Sequence, residues 1–268
     1  MPASAVQLWI ASPADFAEAD WQKFDALLDP TERARADSFR MEADQKSYIL
    51  AHALRRIALG EELNVTPSTL LFSSEPAGKP LLLYPFCKQL GFSHSHTREA
   101  VVFALSRDGQ LGVDIEAHHP ARGDFGLLAQ FLTLPEPLHA PFNGAALSEL
   151  EFTEQFFLYW TALEAFWKAA GTGFSTANPR VRLERRPLGL WHVGLPDWAA
   201  TAVAPWVIPV AAPSGFSISL AVQSPDVRVF TRRITGCTLK GYGMSDRTHF
   251  SPRIGRTRSG IVALAASV

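Results

Sequence analysis

The stretch 152–170 constrains this chain most. Phe156, Trp160, Leu163, Trp167 and Ala170 recur at three- and four-residue steps, the spacing that gathers side chains on one face of an α-helix. A stripe holding two indoles must pack against something large. Gly171, directly after the stripe, suits the position where a left-handed backbone ends a helix. With 47% hydrophobic and 19% charged residues, the chain has apolar material for a sizeable core, and disorder of the whole chain is excluded.

At roughly 150 residues per domain, 268 residues make one or two domains. A helical pattern runs over 31–59 through Phe39, Ile49, Leu50, Leu54 and Ile57, behind the turn Asp29-Pro30, and its polar side is rich in Arg and Lys. Residues 75–80 form a loop. Residues 92–116 alternate β-type runs with turns such as Arg107-Asp108-Gly109, which reads as a hairpin or meander. A short helix is expected over 125–132, ended by Pro135 and Pro137. Residues 181–183 and 216–222 alternate like half-buried strands. No repeat of fixed period is present.

The run 198–225 carries no charged residue, but Pro205, Pro209, Pro213 and Gly215 break any helix of the roughly 20 residues a bilayer requires, so no membrane span is expected. Twenty-five basic against 26 acidic residues leave a net charge of −1, which argues against a general nucleic-acid binder and makes any phosphate site local. Cys87 and Cys237 give neither a disulfide framework nor a zinc spacing, and the N-terminus lacks a secretory pattern, so a cytoplasmic location is expected. From Cys237 on, Lys240, Arg247, Arg253, Arg256 and Arg258 face a single acid, Asp246; this basic tail is expected to be poorly ordered.

Four places could carry chemistry. In Gly112-Val113-Asp114-Ile115-Glu116 the two carboxylates share one face of a strand while Val113 and Ile115 face a core. Such a pair is either a solvated acidic face or an oxygen ligand set suited to Mg²⁺ or Mn²⁺. Glu164 and Lys168 are one turn apart on the long helix, either a surface ion pair or, beside Trp160 and Trp167, the rim of a pocket where a third carboxylate joins Asp114 and Glu116. Phe92-Ser93-His94-Ser95-His96-Thr97 is either a turn with surface histidines or an anion contact made by His96. Gly78-Lys79-Pro80 could hold an ammonium against a phosphate, and Lys46, Arg33 and Arg35 belong to the basic side of the first helix. Motifs of nucleotide folds, zinc proteases and hydrolases are absent.

Taken in order, these segments resemble the 4′-phosphopantetheinyl transferases of the larger, Sfp-like type. Gly78-Lys79-Pro80 is similar to the family's GKP, 92–97 to F-N-x-S-H-[ST], 112–116 to G-[VI]-D-[IVL]-E, 160–169 to W-[ST]-x-K-E-[AS]-x-x-K-A, and 171–175 to G-x-G-[LF]-S. The resemblance covers roughly residues 8 to 230. It implies an α+β fold of two pseudo-symmetric lobes, 1–114 and 115–235, with the active site between them and the tail 236–268 outside. It implies Mg²⁺-dependent transfer of the phosphopantetheine arm from coenzyme A, the substrate, to a serine of an apo acyl or peptidyl carrier protein. Asp114, Glu116 and Glu164 would hold the metal; Glu164 would be the base, with Lys168 and Asp114 beside it in catalysis. Lys46, Lys79, Pro80, Ser95, His96 and Lys168 would contact coenzyme A. A carrier helix would dock on apolar surface near Phe131 and Leu132, and two lobes in one chain imply a monomer. Three departures stand out. Ser93 replaces Asn, which alters local turn bonding. Leu163 replaces the usual Lys, removing a cation expected near the site and raising the alternative of a coenzyme A-binding homologue without turnover. Lys46 is the best substitute for an arginine whose place falls near Lys46-Ser47.

Overall fold

The computed structural model describes residues 4–119, 128, 130–133, 148–175, 177–196 and 206–236. The first half holds β1 (Ser4–Ala11), α1 (Glu18–Leu27), α2 (Pro30–Asp37), α3 (Glu42–Leu63), β2 (Leu71–Ser74), β3 (Pro80–Tyr84), β4 (Gly91–His96), β5 (Val101–Ser106) and β6 (Gly112–Ala117). Then come β7 (Leu132–Thr133), α4 (Glu149–Ala170), β8 (Val181–Arg185), β9 (Trp191–Gly194), β10 (Trp206–Val210), β11 (Phe216–Val222) and β12 (Val227–Ile234). The fold is α+β in two parts: a four-stranded sheet in the order β12-β1-β5-β4 and a six-stranded sheet in the order β6-β11-β10-β9-β8-β7, with β2-β3 as a separate hairpin. Among the described residues no helix is long and apolar enough to cross a membrane.

Period-two alternation builds the layers. On β1, Val6, Leu8 and Ile10 join Val102 and Ala104 of β5 against Val113, Ile115, Ile218 and Leu220 of the other sheet. Trp9 and Ala11, on the opposite face, join Val101, Phe103 and Leu105 against Leu50, Leu54 and Ile57 of α3. The stripe of α4 covers the outer face of the second sheet, where Phe156, Leu163, Phe166 and Trp167 meet Val181, Leu183, Val207 and Ala221. The order across the molecule is therefore helix, sheet, sheet, helix.

The helical pattern over 31–59 divides into α2 and α3. A straight helix would hold Glu32 and Arg55 roughly 35 Å apart at 1.5 Å per residue. Instead the chain turns at Met41 (φ −106°, ψ 127°), and α2 lies against α3. Asp29 caps α2 by accepting from the backbone N–H groups of Thr31 and Glu32 at 2.9 Å, and Glu32 returns the bond to the Asp29 N–H. Buried Glu32 also pairs with Arg55 and Arg56, and Arg56 reaches Asp29 at 2.9 Å. Every member of this buried network has an opposite charge, which is the condition for such charges to be tolerated.

The run 92–116 yields one antiparallel hairpin, β4-β5, after which β6 leaves to pair with β11 in the other sheet. β6 carries both 114 and 115, the two sides of the expected lobe limit, and β12 returns from the second half to pair in parallel with β1 from Ser4↔Val227 to Ala11↔Ile234. Of the short helix expected over 125–132, residues 125–127 and 129 lie outside the described residues, as do 197–205 and the basic tail from 237.

α4 begins earlier than its apolar stripe because Ser148 and Glu151 form a capping box, and it ends at Gly171 with φ +75°. Where β6 enters the second sheet it runs against this helix. A Cβ on Gly112 would lie 2.0 Å from the Ala165 carbonyl oxygen and 2.5 Å from the Ala169 nitrogen. Gly112→Ala must push β6 off α4, and urea unfolding should show a loss of at least about 3 kcal/mol, at the upper end of overpacking costs.

Candidate active site

The same approach of β6 to α4 brings the chemistry together. Val113 and Ile115 enter the core between the sheets, so Asp114 and Glu116 turn the other way, toward α4 and β4. Asp114 is only 1% exposed. Ser95 on β4 donates its hydroxyl to Asp114 Oδ1 at 2.7 Å, and Lys168 Nζ on α4 donates to the same oxygen at 2.5 Å and to Ser95 Oγ at 2.9 Å. Glu164, one helical turn before Lys168, lies 3.7 Å from its ammonium. Ser93 stands inside β4 rather than in a turn, and its buried hydroxyl accepts from the Val113 N–H at 3.1 Å, stitching β4 to β6. These residues surround a cleft of about 320 Å³ lined by His94, Ser95, His96, Asp114, Glu116, Glu164 and Lys168.

Three carboxylates face one ammonium here. Burial and then the charges of Asp114 and Glu164 push the Glu116 carboxyl up to about 7, against the pull of Lys168 and of the Trp160 indole N–H. Burial and then Asp114 raise Glu164 as well, with Lys168 and Trp160 opposing. Burial works against the charge of Lys168, but Asp114, Glu164 and Glu116 outweigh it and hold the ammonium above its ordinary value.

As they stand, no three His, Cys, Asp or Glu side chains among the described residues converge on one cation position; Lys168 occupies Asp114 Oδ1 instead. The donor set nevertheless fits a hard divalent cation. It consists of carboxylate oxygens, and Asp114 Oδ2 is buried without a hydrogen-bond partner, so an ion drawing it toward Glu116 and Glu164 would satisfy that oxygen and relieve the repulsion.

The other residues expected at the site lie apart from this cleft. Lys46 pairs with Glu42 at 2.6 Å and Glu18 at 3.5 Å above the Trp21 ring. Its neighbour Ser47 faces the site, 3.2 Å from His96 Nδ1. Lys79 donates to the Ala169 carbonyl at 3.2 Å, capping the C-terminal end of α4, and Pro80 opens β3. Leu163 points into the helix-sheet core, fully buried, so the position where the family has Lys faces away from the cleft. Phe131 and Leu132 are buried too, with Phe131 4.5 Å from the Phe174 ring; they are core rather than docking surface. The histidines of β4 are not turn residues. Phe92, His94 and His96 share the strand face toward α3, and the His94 ring sits 5.4 Å from that of His52.

Residues 12–108 match the family "4′-phosphopantetheinyl transferase, N-terminal", and residues 110–207 match the "4′-phosphopantetheinyl transferase superfamily". The 4′-phosphopantetheinyl transferase HetI of Nostoc sp. is 32% identical over 171 residues, 63% of this chain and 70% of HetI. The Synechocystis sp. protein slr0495 is 31% identical over 155 residues, 57% of this chain and 60% of that one. The 4′-phosphopantetheinyl transferase Sfp of Bacillus subtilis is 25% identical over 177 residues, 66% of this chain and 75% of Sfp. The chain belongs to the 4′-phosphopantetheinyl transferase superfamily, a family of enzymes.

If the carboxylates take up a divalent cation, Mg²⁺ at ten times its dissociation constant stabilises the protein by about 1.4 kcal/mol, seen as a higher melting temperature, and Asp114→Ala abolishes the rise. The gain is larger at pH 8 than at pH 6. With its folded pKa raised, Glu116 favours the folded state fully below 4.5, and in EDTA this contribution is lost as pH climbs through about 7.

Proposed function

We propose that this protein transfers the 4′-phosphopantetheine arm of coenzyme A to a serine of an apo carrier protein, acting as a monomer in the cytoplasm. The observation that carries this reading is the cluster on β4, β6 and α4, with Asp114, Glu116 and Glu164 around the Lys168 ammonium in an open cleft. Asp114, Glu116 and Glu164 would hold Mg²⁺, which when bound neutralises charge on the pyrophosphate as its bond breaks.

The chain's own residues do the rest. Lys168 and Ser95 contact pyrophosphate oxygens by exchanging their bonds to Asp114 for bonds to substrate. His96 contacts the 3′-phosphate. Lys46 and Lys79 reach the 3′-phosphate by leaving Glu42 and the Ala169 carbonyl, with Pro80 stiffening the strand after Lys79. Glu164, its carboxyl raised by burial, takes the proton of the carrier serine. The serine oxygen then bonds to the β-phosphorus, the bond from that phosphorus to the bridging oxygen breaks, and adenosine 3′,5′-bisphosphate leaves. In this reading the lobes divide at 114–115, within β6, a strand of the six-stranded sheet.

Intact-mass analysis of apo carrier proteins incubated with the enzyme, coenzyme A and Mg²⁺ tests the reaction. A gain of one phosphopantetheine, abolished by EDTA and reduced about 10²- to 10⁴-fold in Glu164→Gln, is expected, whereas undiminished turnover in that variant removes Glu164 as the base. The binding-only alternative rests on Leu163. Because that side chain is buried in the core, Leu163→Lys should lower the melting temperature without raising turnover. A gain in turnover at unchanged stability would restore the alternative.

A further inference from the structure

His94 stands at the one position of the motif 92–97 that the family pattern leaves open, and the reaction above gives it no role. It lines the cleft beside Ser95 and His96. Its Nδ1 is sealed from solvent and has no hydrogen-bond partner, so of the two ring nitrogens only Nε2 remains open. Burial, followed by the charge of Arg55, holds the ring well below the ordinary histidine value, so it is neutral and carries one proton. An orphaned buried N–H is rarer in proteins than an under-satisfied acceptor, which places that proton on Nε2.

A polar ring with one unpaired nitrogen is a poor choice for this strand position on stability grounds. The residues preceding it on the same face, Phe92 at 6% exposure and Leu90 at 8%, belong to the apolar core, and a β-branched apolar side chain would fit the pleat without an orphaned atom. A residue kept against the stability of the free protein points to a contact made only with ligand. Beside its three carboxylates the cleft holds an ammonium, a hydroxyl and a second imidazole, donors that suit a phosphate.

We infer that His94 is a substrate-binding residue whose Nε2–H donates to a phosphate oxygen of coenzyme A. The inference rests on the transferase reading for the identity of the ligand. It is tested by measuring coenzyme A affinity by calorimetry, with Mg²⁺, alongside the melting temperature of the ligand-free protein, for wild type, His94→Ile and His94→Gln. In His94→Ile the dissociation constant rises about 10- to 100-fold, the range of a hydrogen bond to a charged group, while the free protein melts about 2 to 4 °C higher. His94→Gln, which retains an N–H donor, recovers part of the affinity. A loss that is equal with 3′-dephospho-coenzyme A puts the contact on the pyrophosphate, and one confined to coenzyme A puts it on the 3′-phosphate. Unchanged affinity in a stable His94→Ile, or a fall in both affinity and melting temperature that Gln does not relieve, overturns the inference and leaves His94 as packing. Absence of coenzyme A binding by the wild type is a separate result, and overturns the transferase reading instead.

Discussion

Backbone contact between β6 and α4 sets where each chemically active side chain stands. Gly112 permits it, since any side chain there would collide with the Ala165 carbonyl. With strand and helix in contact, the period of two along β6 and the turn of α4 bring Asp114 and Glu116 opposite Glu164 and Lys168. β4 closes the third side through the hydroxyls of Ser93 and Ser95, one holding the backbone of β6 and the other its carboxylate. The geometry of the candidate site is thus inherited from the packing of two regular elements, and precision of that kind is more easily kept on strands and helices than on loops.

The same arrangement is costly to the free protein. Burial and then the neighbouring carboxylates raise Glu116 and Glu164 against the pull of Lys168, and Asp114 Oδ2 and His94 Nδ1 are buried without partners. Between α2 and α3, Glu32, Arg55, Arg56 and Asp29 neutralise one another's charges, although Arg55 Nε is buried without a hydrogen-bond partner. What sets the cleft apart is that its three carboxylates outnumber its one ammonium, and shifted carboxyls gathered in a cleft mark a candidate site.

Much of this was legible from local spacing. The alternation of 112–116, the stripe of α4 and the one-turn separation of Glu164 and Lys168 each follow from the geometry of a strand or a helix, and the structure bears them out. Long-range choices were not legible. The break between α2 and α3 depends on burying Glu32 against Arg55, a contact that no helical periodicity encodes. Lys79 caps α4 because the loop before β3 rests on the end of a helix ninety positions away in the chain. Leu163 stands where the family pattern has lysine, yet its helix phase turns it to the core. The sealed nitrogen of His94 depends on the packing of α3 over β4, although the period-two rule already put it on the face of Phe92.

The parallel pairing of β1 with β12 has a consequence in time as well as space. β1 lies between β5 and β12, so the first sheet lacks a strand until the chain has been synthesised to Ile234. On a ribosome, the half that matches the N-terminal family would emerge with one side of its first strand unpaired, its N–H and C=O groups open to any extended segment. Arrival of β12 closes that edge and fastens the end of the second half to the beginning of the first. The two halves are then tied together along Ser4–Ala11 and Val227–Ile234, which limits how far they can separate.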